Sequence, residues 1–430
     1  MPNFFFLPSV LFALKFILPY FTTKTMTSNG SVKAKEYSMG ARWIHPISTP
    51  PLENHFINVV NDVIVTITPS PKFRPVYDFG SECRILPAVV NAHTHLELSQ
   101  LTEPIPVPVI DGKRSFAGWI RDLVAFRRSE RYNAEEGIGM ALLRPEVLTE
   151  TALLADIVPL DLLRHENHSP PDTHRPKRIR FGELIGWNDA MSEAVIQKTE
   201  QILIHNRACG VSQRIGLSPH APQTVTPLLL EKTVELANRF DLPITMHLAE
   251  SEEEMRLCRY GDGPIFEMMR NVDPDYAPKR SVLPRPMDYL KILSKAKRVM
   301  IVHGNFLDRA EIELLASQPE RFAVVVCPRS YRHFVHHREH RDFPLRKMLD
   351  AGIPVAIGTD SPASSPDLNV LGEIGWLHEL FPDMPLDELF RLCTRNGAAA
   401  LGFDPHEFSL APDTPARFAF FLRTCGTSRP

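Results

Sequence analysis

The chain has 430 residues, of which 43% are hydrophobic and 23% are charged, and its formal net charge at pH 7 is -3. These values are typical of a globular protein, and the small net charge argues against binding to nucleic acid or another polyanion. A chain of this length can bury a large core, so we expect one large barrel with a smaller appended unit. The six cysteines have no short paired spacing, which argues against a disulfide framework and favours a reducing, cytoplasmic location.

The first segment, residues 4–21, is apolar enough to resemble a secretory or membrane-anchor segment. It has no basic residue before it, contains Lys15 and two prolines, and precedes no clear small-residue cleavage site. We interpret residues 1–35 as an extension that results from a start codon assigned too early, with Met26 as the natural amino terminus. A membrane anchor or a signal segment is the alternative.

Residues 36–84 alternate apolar and polar positions between turn residues, which predicts short antiparallel strands. The end of the chain, residues 403–430, contains another strand-like run from Phe418 to Leu422. We expect these two segments to pair in one small β-sandwich domain that is formed by both termini.

Residues 85–402 have a different hydrophobic pattern, in which short apolar runs alternate with longer segments of helical periodicity. Thr226 followed by Pro227, for example, predicts the start of a helix that covers the fourth and fifth strands. A strand followed by a helix, repeated eight times, predicts an α/β fold of the (β/α)8 TIM-barrel type. The predicted strands are Ile85–Asn91, Leu153–Val158, Ile179–Ile185, Arg214–Ser218, Pro243–His247, Val299–His303, Ala323–Cys327 and Pro354–Thr359.

Histidines and one aspartate stand at the ends of several of these strands. His93 and His95 lie two residues apart, and side chains at i and i+2 of a strand point to the same face. His247, His303 and Asp360 end later runs. Because the strand ends of such a barrel meet at one face, we expect these side chains to converge there. Three histidines and one carboxylate suit a divalent ion and leave a position for water, which is typical of a catalytic site.

Glu250 lies three residues after His247 and is predicted to carry a proton from water to the leaving group. A metal ion lowers the pKa of a bound water from about 15.7 toward 7, which supplies hydroxide as the nucleophile. The alternative for Glu250 is a helix-start glutamate, because Ser251 and three more glutamates follow it. We expect Glu252–Glu254 to form a solvated first helical turn.

These motifs resemble those of the amidohydrolase superfamily, and more narrowly its metal-dependent aminohydrolase branch, which includes deaminases and triazine hydrolases. The matching segments are Asn91–Leu96, Ser218–Val225, His247–Ser251, Val302–Asn305 and Gly358–Ser365. The resemblance implies one divalent ion, zinc or alternatively iron, because the position of a second-metal lysine is occupied here by Ser218–His220. The implied ligands are His93, His95, His247 and Asp360.

The resemblance also implies the roles of four residues at the site. Glu250 shuttles protons, His303 orients the water and the intermediate, and His220 contacts the substrate. Asp360 accepts a proton from the attacking water in addition to binding the metal.

Three further residues stand on strand-end loops and are candidates for substrate binding. We hypothesise that Glu97 and Arg329 touch the substrate and that Trp119 forms an apolar wall for a ring. The alternatives are surface salt bridges for the two charged residues and core packing for Trp119.

The predicted activity is hydrolytic removal of ammonia from an amino-substituted nitrogen heterocycle of the nucleoside or base type. The expected partner is this small molecule, with no nucleic acid and no membrane, and a homo-oligomer is compatible with the sequence. One alternative is displacement of chloride from a triazine-like ring. Another is an inactive barrel that serves as a binding or scaffold protein, although the complete ligand set argues against it.

Overall fold

The computed structural model describes residues 34–110, 112–164, 175–209, 215–277, 282–335 and 342–422. The apolar segment 4–21 and most of the predicted extension 1–35 lie outside these residues. Within the described ranges, no helix combines the length and the apolar character that crossing a membrane requires.

The described strands are numbered in chain order. They are β1 (Glu36–Ile44), β2 (Leu52–Val60), β3 (Val63–Thr68), β4 (Val76–Asp78), β5 (Cys83–Pro87), β6 (Val89–Thr94), β7 (Val109–Ile110), β8 (Lys113–Arg114), β9 (Thr151–Pro159), β10 (Lys177–Leu184), β11 (Ile215–Pro219), β12 (Ile244–Leu248), β13 (Val299–His303), β14 (Phe322–Val326), β15 (Val355–Ile357) and β16 (Phe418–Leu422).

The described α-helices lie mostly between the strands of the larger sheet. They are α1 (Phe116–Arg127), α2 (Ala134–Ala141), α3 (Pro145–Glu150), α4 (Asp189–Ala208), α5 (Pro227–Phe240), α6 (Glu252–Tyr260), α7 (Pro264–Val272), α8 (Pro286–Leu293), α9 (Arg309–Ala316), α10 (Pro328–Phe334), α11 (Leu345–Asp350), α12 (Val370–Leu380), α13 (Leu386–Leu392) and α14 (Arg395–Ala400).

The larger sheet has eight strands in the order β6, β9, β10, β11, β12, β13, β14 and β15. Neighbouring strands are parallel, which confirms the predicted (β/α)8 barrel. All residues of β13 are buried, as expected for strands covered on both faces, and this explains their continuous apolar sequence. The predicted helix α5 begins after Thr226, whose hydroxyl accepts the N–H of Leu229 at 3.1 Å.

The second sheet takes strands from both ends of the described chain. Its order is β16, β5, β1, β2 and β3, and β4 pairs with β1 on the side of this path. β16 pairs antiparallel with β5, so the two terminal segments share one unit. The described strands form a single mixed sheet where a sandwich was predicted. The domain boundaries, residues 36–84 with 403–430 and residues 85–402, stay a prediction.

The apolar run Ile85–Asn91 was predicted as one barrel strand, but it contributes to both sheets. β5 ends at Pro87 and pairs with β16, whereas β6 begins at Val89 and pairs with β9. The chain changes sheets at Ala88, whose N–H donates to the carbonyl of Arg417 at 2.9 Å. Both strands are buried, so the hydrophobic pattern does not mark the break between them.

Side chains complete the barrel between its first and last strands. The backbones of β6 and β15 meet only in an isolated parallel bridge between Thr94 and Asp360 within the described chain. Beside this bridge, the Asn91 side chain accepts the N–H of Thr359 at 3.1 Å and donates to its hydroxyl at 2.8 Å. Asn91 is fully buried, so this seam depends on hydrogen bonds that water does not replace.

Replacing Asn91 with leucine should therefore destabilise the barrel. The variant keeps a similar volume but removes the donor to the Thr359 hydroxyl and leaves the buried N–H of Thr359 without its partner, which costs about 1–3 kcal/mol. The measurement is the midpoint of urea unfolding. Asn238→Ala is the control, because it removes one surface bond to the carbonyl of Lys295 and should change stability by less than about 1 kcal/mol. Equal effects of the two substitutions would contradict a special role for the seam.

Candidate metal centre

Three imidazoles converge at the carboxyl-terminal face of the barrel. Nε2 of His247 lies 3.2 Å from Nε2 of His93 and 3.4 Å from Nε2 of His95. Oδ1 of Asp360 lies 3.7 Å from Nε2 of His93 and 3.8 Å from Nε2 of His95. Two nitrogens that bind one tetrahedral zinc ion lie about 3.4 Å apart, so the donor atoms fit one ion with little movement.

The backbone of two site residues has a conformation that non-glycine residues rarely adopt. His303, the last residue of β13, has φ 70°, and Asp360, just beyond β15, has φ 60°. Such left-handed residues cost about 1–3 kcal/mol each and persist where the surroundings hold them. This backbone conformation turns both side chains toward the imidazole cluster at the points where β13 and β15 end.

The hydrogen bonds of His247 fix which of its nitrogens can bind a metal. Its Nδ1 lies 3.0 Å from the carbonyl oxygen of His220 and must donate, because a carbonyl oxygen only accepts. Its Nε2 is therefore the nitrogen with the free lone pair, as metal-binding histidines require. Burial lowers the pKa of His247 well below its usual value and lowers the pKa of His95 to about 3. Both imidazoles are neutral, which is the form that binds a cation.

Two serine hydroxyls hold the carboxylate of Asp360. Ser330 donates to Oδ2 at 2.7 Å and Ser364 donates to the same oxygen at 2.6 Å, which leaves Oδ1 facing the imidazoles. Burial opposes ionisation of Asp360, but the interactions with His93 and the other nearby histidines outweigh it and hold its pKa well below the usual value. Sequence reasoning missed both serines, although Ser364 lies in the matching segment Gly358–Ser365.

Glu250 and His303 form a second pair next to the ligands. Oε1 of Glu250 lies 3.3 Å from Nε2 of His303, and both side chains are almost completely buried. Burial, and then the charges of Asp360 and Glu254, raise the pKa of Glu250 well above its usual value. Burial also lowers the pKa of His303 to about 4. A protonated carboxyl beside a neutral imidazole can donate a proton at neutral pH.

The glutamates that follow Glu250 do not form the solvated turn that was predicted. Only Glu252 is exposed. Glu253 accepts the N–H groups of Phe116 and Ala117 at the start of α1, at 3.2 and 2.8 Å. Glu254 is 1% exposed and accepts N–H groups of the preceding turn. The prediction was wrong for two of the three because the first turn of α6 faces other elements.

His220 and Glu97 border the imidazole cluster in different ways. The ring of His220 lies 5.3 Å from that of His247, and its side chain is one-quarter exposed. Glu97 is fully buried and paired with Arg127, which also lies 3.5 Å from Glu183. Glu97 is therefore not a free surface charge, and its second oxygen has no hydrogen-bond partner among the described residues. Sequence reasoning missed Arg127 and Glu183, which have no motif that marks them.

Trp119 is buried and packs against two other aromatic rings. Its ring centroid lies 4.8 Å from that of Phe334 and 5.8 Å from that of Phe116. Its indole N–H donates to the carbonyl of Ala363, close in sequence to Asp360, at 3.2 Å. Trp119 thus ties α1 to the loop after β15, and the core-packing alternative describes most of its contacts.

Arg329 is paired with carboxylates, and its predicted contact with the substrate stays a prediction. The guanidinium bonds Glu373 and Asp367, each at 2.6 Å, and is 8% exposed. Its Nη1 lies against Gly372, where an added Cβ would be only 2.8 Å away. The ion pairs between Arg329 and these two carboxylates join α10 to α12.

Comparisons with known proteins agree with this arrangement. A model described as the Amidohydrolase family matches residues 168–424. Aminodeoxyfutalosine deaminase of Deinococcus radiodurans is 28% identical over 369 residues, which cover 80% of each protein.

Two solved structures share the fold. One is Helicobacter pylori aminofutalosine deaminase in complex with methylthio-coformycin, with a TM-score of 0.70 and 20% identity over 90% of this chain and 92% of that chain. The other is an adenosine deaminase from Xanthomonas campestris with bound zinc, with a TM-score of 0.61 and 20% identity over 90% of this chain and 84% of that chain.

Removing the hydroxyl of Ser364, one of the two that bond Asp360, should weaken metal binding. In Ser364→Ala one of the two bonds to Oδ2 is lost, and loss of such an outer partner lowers metal affinity about 10- to 100-fold. The measurement is competition for zinc with a chromophoric chelator. Ser361→Ala is a matched control, because the Ser361 hydroxyl accepts the N–H of Ala363 and does not bond Asp360. Unchanged affinity in Ser364→Ala would remove this role.

Proposed function

The chain belongs to the amidohydrolase family, and on that premise we propose that it is a zinc-dependent aminohydrolase that removes the amino group of an adenine-type nucleoside. The observation that carries the proposal is the convergence of His93, His95, His247 and Asp360 next to Glu250, whose carboxyl lies 3.3 Å from His303. The relative from Deinococcus radiodurans and the Helicobacter pylori structure support the substrate class, because both are named as deaminases of this kind.

The donor set supports zinc as the ion. Three imidazole nitrogens and one carboxylate oxygen suit a borderline divalent ion, and the solved adenosine deaminase from Xanthomonas campestris holds zinc. When bound, such an ion lowers the pKa of a coordinated water from about 15.7 toward 7. Iron is the alternative ion, and a cytoplasmic location and a homo-oligomer stay predictions from the sequence.

The residues around the ligands divide the proton transfers between them. Water adds to the carbon that carries the amino group, the carbon–nitrogen bond breaks, and ammonia leaves. Asp360 is ionised and accepts a proton from the attacking water. Glu250 holds a proton and gives it to the substrate nitrogen, while His303, 3.3 Å from Glu250, orients the reacting groups.

The protonation state of Glu250 favours an amine over chloride as the leaving group. An amino group must gain a proton before it can leave as ammonia, whereas chloride leaves without one. Burial raises the pKa of Glu250 next to the reacting centre, which favours its protonated form. The complete set of ligands also argues against an inactive scaffold, which has no need of a protonated acid beside a metal site.

Glu250→Gln should separate catalysis from metal binding. The amide cannot transfer the proton, so kcat should fall by about 10²- to 10⁴-fold, while the zinc content stays stoichiometric because Glu250 is not among the ligands. Ammonia release and metal content are the two measurements. Glu252→Gln is the control, because this exposed glutamate lies in the same segment and should leave both values unchanged. Full activity in Glu250→Gln would contradict the assigned role.

The function itself is tested by ammonia release from a panel of candidate substrates. Zinc-loaded protein is supplied with adenine nucleosides, guanine, cytosine, pterins and amino- and chloro-triazines. We expect ammonia from an adenine nucleoside with a kcat/KM at least about tenfold above that for the other compounds. Chloride release from a triazine without deamination of any purine would replace this proposal with the chlorohydrolase alternative.

A further inference from the structure

The turn between β12 and α6 carries Glu250 and has an unusual backbone. Ala249 has φ 55°, in the left-handed region that residues with a Cβ rarely adopt. Such a conformation is strained and persists only where neighbouring groups hold it. Glu250 is the next residue, so its direction depends on what holds this turn.

Glu254 binds both peptide N–H groups of the turn. Its Oε1 accepts the N–H of Ala249 at 2.6 Å, and its Oε2 accepts the N–H of Glu250 at 3.0 Å. Ser251 caps α6 by accepting the N–H of Glu254, in the spacing of a capping box. In an ordinary capping box the glutamate returns to the N–H of the capping residue itself. Here it reaches beyond Ser251 and binds the turn before the helix.

The carbonyl groups of the same two residues are held from the other side. The N–H of Phe306 donates to the carbonyl of Ala249 at 3.1 Å, and the side chain of Asn305 donates to the carbonyl of Glu250 at 3.0 Å. The N–H and the C=O groups of Ala249 and Glu250 therefore all have partners outside these two residues. These bonds fix the backbone of Glu250, from which its carboxyl group extends to within 3.3 Å of Nε2 of His303.

We propose that Glu254 is a positioning residue that fixes the turn of Ala249 and Glu250, so that the Glu250 carboxyl stays beside the metal ligands. The catalytic part of this inference rests on the proposed function. A buried carboxyl is costly at this place, since burial raises the pKa of Glu254 to about 7. A neutral side chain would avoid that cost but would not offer two acceptor oxygens to two adjacent N–H groups.

Glu254→Gln tests the proposal, because it keeps the shape and removes one of the two acceptors. The amide group then directs N–H atoms at a backbone N–H. In zinc-loaded protein, we expect the amides of Ala249 and Glu250 to exchange with deuterium at least about tenfold faster than in the parent protein. We also expect kcat to fall about 10- to 100-fold while KM changes less than about twofold, because substrate contacts remain.

Glu252→Gln is the matched control for Glu254→Gln, since it removes an exposed carboxylate of the same helical turn and should change neither exchange nor kcat. The exchange measurement does not depend on the substrate. Slow exchange at Ala249 and Glu250 in the parent protein, and faster exchange in the variant, supports the clamp even if no deaminase activity is found. If the parent amides exchange freely, the clamp is absent even when Glu254→Gln does not fold.

Two outcomes of the kinetic comparison oppose the inference. If the parent protein releases ammonia and Glu254→Gln keeps its kcat, Glu254 does not position Glu250, although the proposed function stands. If KM rises as much as kcat falls, the substitution has disturbed the whole site rather than one catalytic group. Failure of the parent protein to release ammonia from any compound counts against the proposed function alone.

Discussion

Closure of the barrel between β6 and β15 is the constraint on which the site depends. The N–H of Asp360 donates to the carbonyl of His93 at 3.1 Å, and the hydroxyl of Thr94 donates to the carbonyl of Asp360 at 2.9 Å. The backbone of Asp360 is therefore bonded to β6, which carries His93 and is followed directly by His95. β15 has only three residues, so the side chain of Asn91 supplies pairing that the short strand does not. The bonds that close the barrel also place His93 and Asp360, at the ends of its first and last strands, side by side.

Buried carboxylates hold other turns at this face in the manner of Glu254. Asp156 accepts the N–H of Leu96, directly after the second imidazole ligand, at 2.9 Å. Glu373 accepts the N–H of Arg329 at 2.7 Å, one residue before the first serine that bonds Asp360. A buried charge costs free energy unless hydrogen bonds satisfy it. Asp156 is also paired with Arg178, and Glu373 is also paired with the side chain of Arg329, so arginines and backbone N–H groups together satisfy these carboxylates and hold the strand ends.

Several features of the site could be predicted from sequence because they depend on local pattern. His93 and His95 follow an apolar run at strand spacing, and parallel strands of a barrel end at one face. The partners of the loop residues could not be predicted in this way. Arg329 looked like a loop residue that could bind substrate, yet it pairs with carboxylates from a later segment. Ser364 donates a side-chain hydrogen bond to Asp360, and the spacing of the two residues in the sequence does not indicate this bond.

The sequence by itself determined the alternation of strands and helices, and it predicted the metal-ligand types and the acid that accompanies them, because each of these depends on short apolar runs and the residues that end them. Only the tertiary structure decided where the run at Ile85–Asn91 divides between two sheets and which buried polar groups pair. The physical reason is that a hydrogen bond is chosen by proximity in space. Asn91 and Thr359 are 268 residues apart in the chain, and folding alone makes them neighbours.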